Sequence, residues 1–330
     1  MVTRGFHKRA CAVVLVNKVK NPIKLAREML VRGDEDGSDG HDLSGGGAQG
    51  HCCLGGETVE KLAKNWGLEM VEESYFWTRK RWDEHKRGLH ELKDEKTFFQ
   101  SSEWDGQAYL PQGTVGCVAL DQYGTMTVAT STGGLTNKLS GRIGDTPTIG
   151  AGFWAEEWNH LSPEKRTRQP QDLSSQIPAA LNEFANGLRN IVGDCIPNLS
   201  GYHNLSSFHE LGLGKVDSIS SIRAVAMSGT GNGDSFLRLA AARTAGAIVR
   251  FSPDRSLASA VNQMAGSGGE LERSAGDRWG KTGEGEGGII GIELADGKGK
   301  IIFDFNCGGM FRCWVDDDGK EKVMVFKDEY

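Results

Sequence analysis

The stretch from Gly113 to Gly134 constrains the fold most, because it contains two β-prone runs joined by turn residues. The first run, TVGCVALD, begins at Thr114, and the second run, TMTVATST, ends at Thr132. The four residues 121–124, Asp-Gln-Tyr-Gly, have the composition of a turn. The segment therefore predicts two antiparallel strands that form a hairpin.

Helical patterns occur on both sides of this hairpin. Asn21-Pro22 is typical of a helix start, with an N-cap residue followed by proline at the first helical position, and Gly33 predicts the helix end. Such a mixture favours layered α/β packing (α+β) over a doubly wound parallel sheet. Further strands are predicted at 11–16, 222–227 and within 289–326, and further helices at 58–66, 76–93, 234–250 and 256–265.

Two segments have the composition of loops. Residues 33–57 are rich in Gly, Asp and Ser, and residues 94–112 are polar and predict an exposed linker before Gly113. Within the charged helix predicted at 76–93, His85 and His90 lie five residues apart, which is off the spacing of one helical face. We interpret both histidines as surface residues.

Charge and cysteine content limit the function. The net charge of −6 argues against a nucleic-acid partner. Because no apolar run approaches the ~18 residues of a membrane span, and no cleavage site follows the basic N-terminus, we expect no membrane association and a cytoplasmic protein. The seven cysteines are scattered without a CxxC motif, so we predict free thiols in a reducing compartment and no metal site.

Four short motifs carry candidate chemistry, although each is weak alone. They are the Gly-Thr strand start at 113–114, the Ser-Thr-Gly-Gly bend at 131–134, the GRIGD loop at 141–145 and the GTGNGD loop at 229–234. The last motif, between a strand and a helix, also suits a phosphate at a helix N-terminus. No Walker lysine follows it, so nucleotide binding is not favoured.

Order and spacing make these motifs specific. The stretch from GTVGCVALD to PTIGAG closely resembles the plant-type asparaginase and isoaspartyl peptidase family of N-terminal nucleophile hydrolases, GTGNGD resembles its oxyanion loop, and KNPIKLAREM resembles part of its α chain. The resemblance covers about 11–32, 113–155 and 222–310. It implies one domain over 1–330 with a four-layer αββα sandwich. Residues 1–113 would be α-chain-like and 114–330 β-chain-like, with an insertion at about 156–221.

The resemblance also implies roles. Self-cleavage between Gly113 and Thr114 would make Thr114 the N-terminal nucleophile, and Thr132 would bond and tune its hydroxyl. Arg142 would bind the substrate's α-carboxylate and Asp145 its α-ammonium group. The oxyanion hole would come from Thr230 and Gly231, which together with Gly233 would also contact substrate. No cofactor is implied.

Elementary chemistry supports these roles. A threonine hydroxyl needs a nearby base, and a free α-amine with a pKa near ~8 has a useful neutral fraction at physiological pH. That amine exists only after the peptide bond before Thr114 is cut. Glycine at 113 permits the backbone geometry that the cut requires.

Several alternatives remain open. The family opens with a strand that ends in a His-Gly-Gly-Ala-Gly run, which this sequence lacks, so the resemblance implies that the first strand and helices of the α chain are missing. A catalytically impaired homologue is one alternative. The substrate could be L-asparagine, an isoaspartyl (β-aspartyl) peptide or glycosylated asparagine, the last as in a glycosylasparaginase. We expect a small-molecule substrate and a homodimer of cleaved αβ units.

Overall fold

The computed structural model describes residues 2–4, 8–35, 51–91, 113–160 and 221–327. The described parts up to Asn159 and from Ile222 form one compact unit. The linker predicted at 94–112 and residues 161–220 of the predicted insertion lie outside the described residues. No helix in the described ranges is long and apolar enough to cross a membrane.

One sheet has five strands in the order β3-β2-β1-β5-β4. The predicted hairpin is confirmed, because β4 and β5 pair antiparallel with Val115 opposite Ser131. The short β1 pairs antiparallel with both β2 and β5, whereas β2 and β3 are parallel. The strands are β1 (Val2–Arg4), β2 (Ala10–Val14), β3 (Cys53–Gly55), β4 (Val115–Leu120) and β5 (Met126–Ser131).

A second sheet has four strands in the order β6-β7-β8-β9. Both β7 with β8 and β8 with β9 are antiparallel pairs. A separate hairpin of β10 and β11 follows. The strands are β6 (Phe153–His160), β7 (Ser221–Gly231), β8 (Gly287–Ala295), β9 (Lys298–Phe305), β10 (Arg312–Val315) and β11 (Glu321–Met324).

Helices flank the sheets in two groups along the chain. The first helix begins at Pro22, as its sequence predicts, and ends at Glu35, two residues past the predicted end at Gly33. The described helices are α1 (Pro22–Glu35), α2 (Glu57–Asn65), α3 (Arg79–Glu91), α4 (Gly233–Leu239), α5 (Ala241–Phe251), α6 (Leu257–Ala265) and α7 (Glu270–Ala275). Two 3₁₀ turns, Glu73–Phe76 and Gly276–Arg278, precede α3 and follow α7.

Three apolar clusters hold these elements together. One joins the two sheets, with Val128 of β5 and Ala226 of β7 among its members. Another joins α1 and α2 to the five-stranded sheet, with Leu25 fully buried. The third joins α4 to α7 with the four-stranded sheet around Phe236. Mixed α/β packing, with mostly antiparallel strands, is thereby confirmed.

Two sequence predictions for residues 228–250 are wrong. The GTGNGD segment is not a loop over 229–231, because these residues continue β7 and pair with residues 287–289 of β8. The helix predicted at 234–250 is two helices, α4 and α5, separated at Ala240 with a φ of 45°. The break has a tertiary cause, since the amide of Arg243 donates to the carbonyl of Gly150 at 2.7 Å rather than continuing α4.

Three strands were not predicted, and the first of them is β1 (Val2–Arg4), which precedes the first predicted strand at 11–16. β3 lies within the segment 33–57 that was interpreted as a loop. β6 includes residues 156–160 of the predicted insertion. Its sequence, FWAEEWNH, hides the strand because Glu156 is charged yet fully buried, where Arg243 and Arg250 bind its two oxygens at 3.3 Å and 2.6 Å.

Candidate active site

Thr114 directly precedes β4 and is half-buried, whereas Gly113 before it is exposed. Thr114 lines a cavity of about 490 Å³ together with Thr132, Arg142 and Asp145. That volume falls within the ~300–1,000 Å³ typical of small-molecule sites. The structure thus brings four of the sequence-predicted residues to one cavity.

The cavity lies past the end of β1. Pairing of β1 with β5 ends at Ala129, and the cavity lining begins with Thr130 and Ser131 of β5. On the other side it is lined by the end of β2 and the loop after it, residues 13–17. The short central strand therefore leaves room for a ligand beside Thr114.

Thr132 organises the bend that follows β5. Its hydroxyl accepts a hydrogen bond from the amide of Gly134 at 3.1 Å. Gly134 has a φ of 78°, which glycine adopts without strain. The bend therefore holds the Thr132 side chain at the cavity wall, where its hydroxyl keeps a proton to donate.

The two sheets approach closely beside the nucleophile candidate. A β-carbon on Gly116 of β4 would collide with the Ser228 side chain of β7. The hydroxyls of Ser228 and Thr130 are 2.8 Å apart and buried. Gly116 is therefore required by close sheet contact two residues after Thr114.

Arg142 supplies the positive charge predicted for the site. Its Nη2 lies 3.3 Å from Oδ2 of Asp234, and the arginine side chain is only 20% exposed. Its Nε is buried and has no hydrogen-bond partner among the described residues. A β-carbon on Gly144 would lie 2.7 Å from Nη1, so glycine there makes room for the guanidinium. Arg142 therefore retains unused donors for an anionic ligand.

Asp145 is a buried carboxylate with 6% exposure. Burial raises its pKa, which the backbone amides of Asp145 and Thr146 and the charge of Arg142 oppose. The nearby charge of Asp234 also raises it. An incoming cation would favour the ionised form of Asp145 and lower its pKa.

Gly233 connects the oxyanion-loop candidates to this cavity. A β-carbon there would lie 2.5 Å from Oδ1 of Asp145 and 3.0 Å from Nη2 of Arg142. Thr230 and Gly231 end β7 just before it, and Gly231 has a φ of 147° and packs against the backbone at 286–287. Gly233, the first residue of α4, therefore packs against two residues that line the cavity.

Two charged residues at the site were not predicted. Asp234 pairs with Arg142, and Lys138 lines the cavity while its ammonium donates to the carbonyls of Gly133 and Leu135, both at 3.2 Å. Asp234 ends the GTGNGD motif, and Lys138 stands between the Ser-Thr-Gly-Gly bend and the GRIGD loop. Their positions in the sequence could have marked both as candidate site residues. Their contacts with Arg142 and with the cavity, however, depend on the fold.

Metal ligands are not grouped in the described ranges. No set of three or more His, Cys, Asp or Glu residues there could hold an ion. Cys52, Cys53, Cys117, Cys307 and Cys313 are free thiols. Burial raises the pKa of the Cys307 and Cys53 thiols, so neither is activated as a thiolate.

Comparison with known proteins shows similarity to one family over part of the chain. Residues 1–161 match the Asparaginase family model. The chain is 34% identical to a putative isoaspartyl peptidase/L-asparaginase of Dictyostelium discoideum over 46% of each chain. It is 35% identical to the isoaspartyl peptidase/L-asparaginase of Mus musculus, over 50% of this chain and 42% of that protein.

A bacterial relative gives the same result. The isoaspartyl peptidase of Escherichia coli is 34% identical over 47% of this chain and 42% of its own length. The chain thus spans less than half the length of each of these three relatives. The family resemblance seen in the sequence is confirmed over the matched part.

Proposed function

We propose, for a chain whose first half is related to the asparaginase family, that it is a self-cleaving amidohydrolase with Thr114 as nucleophile. The observation that carries the proposal is the shared cavity of Thr114, Thr132, Arg142 and Asp145. A hydroxyl nucleophile, a second hydroxyl and two opposite charges are there within reach of one small ligand. This set suits an amino acid whose side-chain amide is cleaved.

The proposed fold is the four-layer αββα sandwich of N-terminal nucleophile hydrolases. Its support is the order of the layers that the three apolar clusters join. One cluster joins α1 and α2 to the five-stranded sheet, the next joins that sheet to the four-stranded sheet, and the third joins the four-stranded sheet to α4–α7. Nucleophile and oxyanion candidates then come from the two facing sheets, Thr114 before β4 and Thr230 at the end of β7.

The proposed reaction has two stages. In processing, the Thr114 hydroxyl attacks the Gly113 carbonyl, the carbon–nitrogen bond breaks to leave an ester and a free Thr114 amine, and water then hydrolyses the ester to free the Thr114 hydroxyl. In turnover, that amine takes the hydroxyl proton while Oγ attacks the substrate amide and passes the proton to the leaving nitrogen. Thr230 and Gly231 stabilise the oxyanion, and water releases aspartate from the acyl-enzyme.

Charge in the cavity supports an aspartyl head group as substrate. Arg142 has donors suited to a carboxylate, and the nearby carboxylates of Asp145 and Asp234 suit an ammonium group. L-asparagine and β-aspartyl peptides both present this head group with the scissile amide on the side chain. We propose these two classes as the substrates. We also propose that the enzyme that acts on them is a homodimer of cleaved units.

The proposal is tested by product release from the purified chain. We expect aspartate from L-asparagine or a β-aspartyl dipeptide, and loss of the activity to background in Thr114→Ala. Thr282→Ala, which removes an exposed threonine hydroxyl, is the matched control and should keep wild-type rates. Release from glycosylated asparagine alone would reassign the substrate, and no release from any of the three would indicate an impaired homologue.

A further inference from the structure

One face of α3 contacts Gly113, at the proposed processing site, and the loop that follows the Thr132 bend. Arg81, Glu84, His85 and Gly88 are spaced three, four and seven residues from the first, so they share a helical face. Arg81 reaches Gly113, and His85 and Gly88 reach Asn137 of the loop after the Thr132 bend. The helix is therefore placed where it can influence the peptide bond before Thr114.

The contact with Gly113 is made by a guanidinium group. Nη2 of Arg81 lies 3.2 Å from the position that a β-carbon on Gly113 would occupy. Arginine carries five donors and a permanent charge, both suited to a carbonyl oxygen that becomes negative during attack. A β-carbon at position 113 would require this group to shift by a few tenths of an ångström.

Glu84 holds Arg81 in this position. Its Oε2 accepts from Nη1 of Arg81 at 2.8 Å, and the Glu84 side chain is only 8% exposed while that of Arg81 is 43% exposed. Its other oxygen, Oε1, is buried without a hydrogen-bond partner among the described residues. A buried carboxylate beside one arginine restricts that arginine more than an exposed helix pair would.

The rest of the face fixes the helix against the active-site loop. Nδ1 of His85 contacts Oδ1 of Asn137, and Nδ2 of Asn137 donates to the carbonyl of His85 at 3.2 Å. A β-carbon on Gly88 would collide with the same amide. His85, interpreted from the sequence as a surface residue, is thus half-buried at a helix–loop contact.

We infer that Arg81, held by Glu84, is a positioning residue for self-cleavage, an inference that rests on the proposed function. In this step a bond forms between Oγ of Thr114 and the Gly113 carbonyl carbon, and the carbon–nitrogen bond breaks. The hydroxyl proton goes to the departing nitrogen, and water then hydrolyses the ester to a Gly113 carboxylate and the free Thr114 hydroxyl. Arg81 orients the Gly113 peptide and neutralises charge on its carbonyl oxygen.

The test is a time course of self-cleavage by the full chain on a denaturing gel. We expect Arg81→Gln to slow cleavage by at least about tenfold, because one oxyanion donor typically contributes a factor of ~100 or more. Glu84→Gln should slow it less, and Arg81→Lys should retain part of the rate because it keeps the charge. Arg87→Gln, an exposed arginine of the same helix, is the matched control and should cleave like wild type.

Two further measurements separate positioning from general damage. Cleaved Arg81→Gln protein should hydrolyse a β-aspartyl dipeptide with nearly wild-type KM and kcat, since Gly113 is no longer bonded to Thr114. Added guanidinium ion should accelerate cleavage of Arg81→Ala. Equal cleavage by Arg81→Gln and wild type, or equal slowing by Arg87→Gln, would overturn this inference alone. A wild-type chain that stays whole would overturn the self-cleavage proposal and this inference with it.

Discussion

Asp145 shows at the scale of one residue how a binding site can oppose stability. Burial raises the pKa of its carboxyl group, so the folded state holds this proton at higher pH than the unfolded state does. The ionised carboxylate therefore weakens folding at neutral pH, and stability is regained as the pH falls through the raised pKa. A group that costs stability in this way is a common feature of functional sites.

Asp145→Asn should separate the effect of this carboxylate on stability from its effect on activity. The amide keeps the shape but removes the buried charge, so the free energy of unfolding at pH 7 should rise or stay unchanged. The difference in the free energy of unfolding between the variant and wild type should shrink as the pH falls toward 4. Urea unfolding at several pH values would measure it. Aspartate release should fall at least about tenfold, because charge-assisted hydrogen bonds contribute ~1.5–3 kcal/mol. Clear destabilisation at pH 7 would mean that Asp145 is a structural anion.

Some of the site was predictable residue by residue and some was not. The family resemblance indicated Thr114, Thr132, Arg142 and Asp145, and all four line one cavity. The pairing of Arg142 with Asp234 joins residues 92 positions apart, which no local pattern reveals. Such contacts depend on how β7 and the GRIGD loop meet, and that is a property of the fold.

Secondary-structure elements were predicted where local chemistry decided them. Pro22 starts α1, and the turn at 121–124 closes the β4–β5 hairpin, as their sequences indicate. Prediction failed where contacts with residues distant in the sequence determine the bounds of an element. β7 extends through three glycine-rich positions because β8 supplies hydrogen bonds, and α4 ends at Ala240 because the loop at 150–151 binds the first amides of α5.

A buried ion pair links the second sheet to α6. Arg223 of β7 donates to Oε1 of Glu293 of β8 at 2.6 Å, and the side chains are 10% and 6% exposed. Arg223 also donates to the carbonyls of Pro253 and Arg255, and Oε2 of Glu293 accepts from the amide of Leu257 at 2.9 Å. The pair therefore fixes the α5–α6 connection and the start of α6.

Glu293→Gln should leave Arg223 buried without a countercharge. Removing one partner of a buried pair costs ~3–5 kcal/mol, and we expect the free energy of unfolding to fall by about 3 kcal/mol in urea titrations. The control is Glu270→Gln, which breaks the pair with Arg273 at the surface and should change it by at most ~0.5 kcal/mol. Similar values for the two variants would mean that the α6 connection does not depend on this pair.

At the scale of the molecule, the strand order shows why a cut before Thr114 is structurally tolerable. β4 is the edge strand of its sheet, and Gly113 is exposed and precedes it. Cleavage there interrupts neither a strand nor one of the three apolar clusters. The two fragments would stay associated, because β5 pairs with β1, β4 pairs with β5, and both strands pack on the second sheet.

The most direct test of the central claim is the state of the wild-type chain after purification and prolonged incubation. A denaturing gel with N-terminal sequencing of the fragments should show residues 1–113 and 114–330, with threonine as the new first residue. Thr114→Ala should stay whole under the same conditions. A wild-type chain that remains intact, or a new N-terminus other than Thr114, would contradict the account.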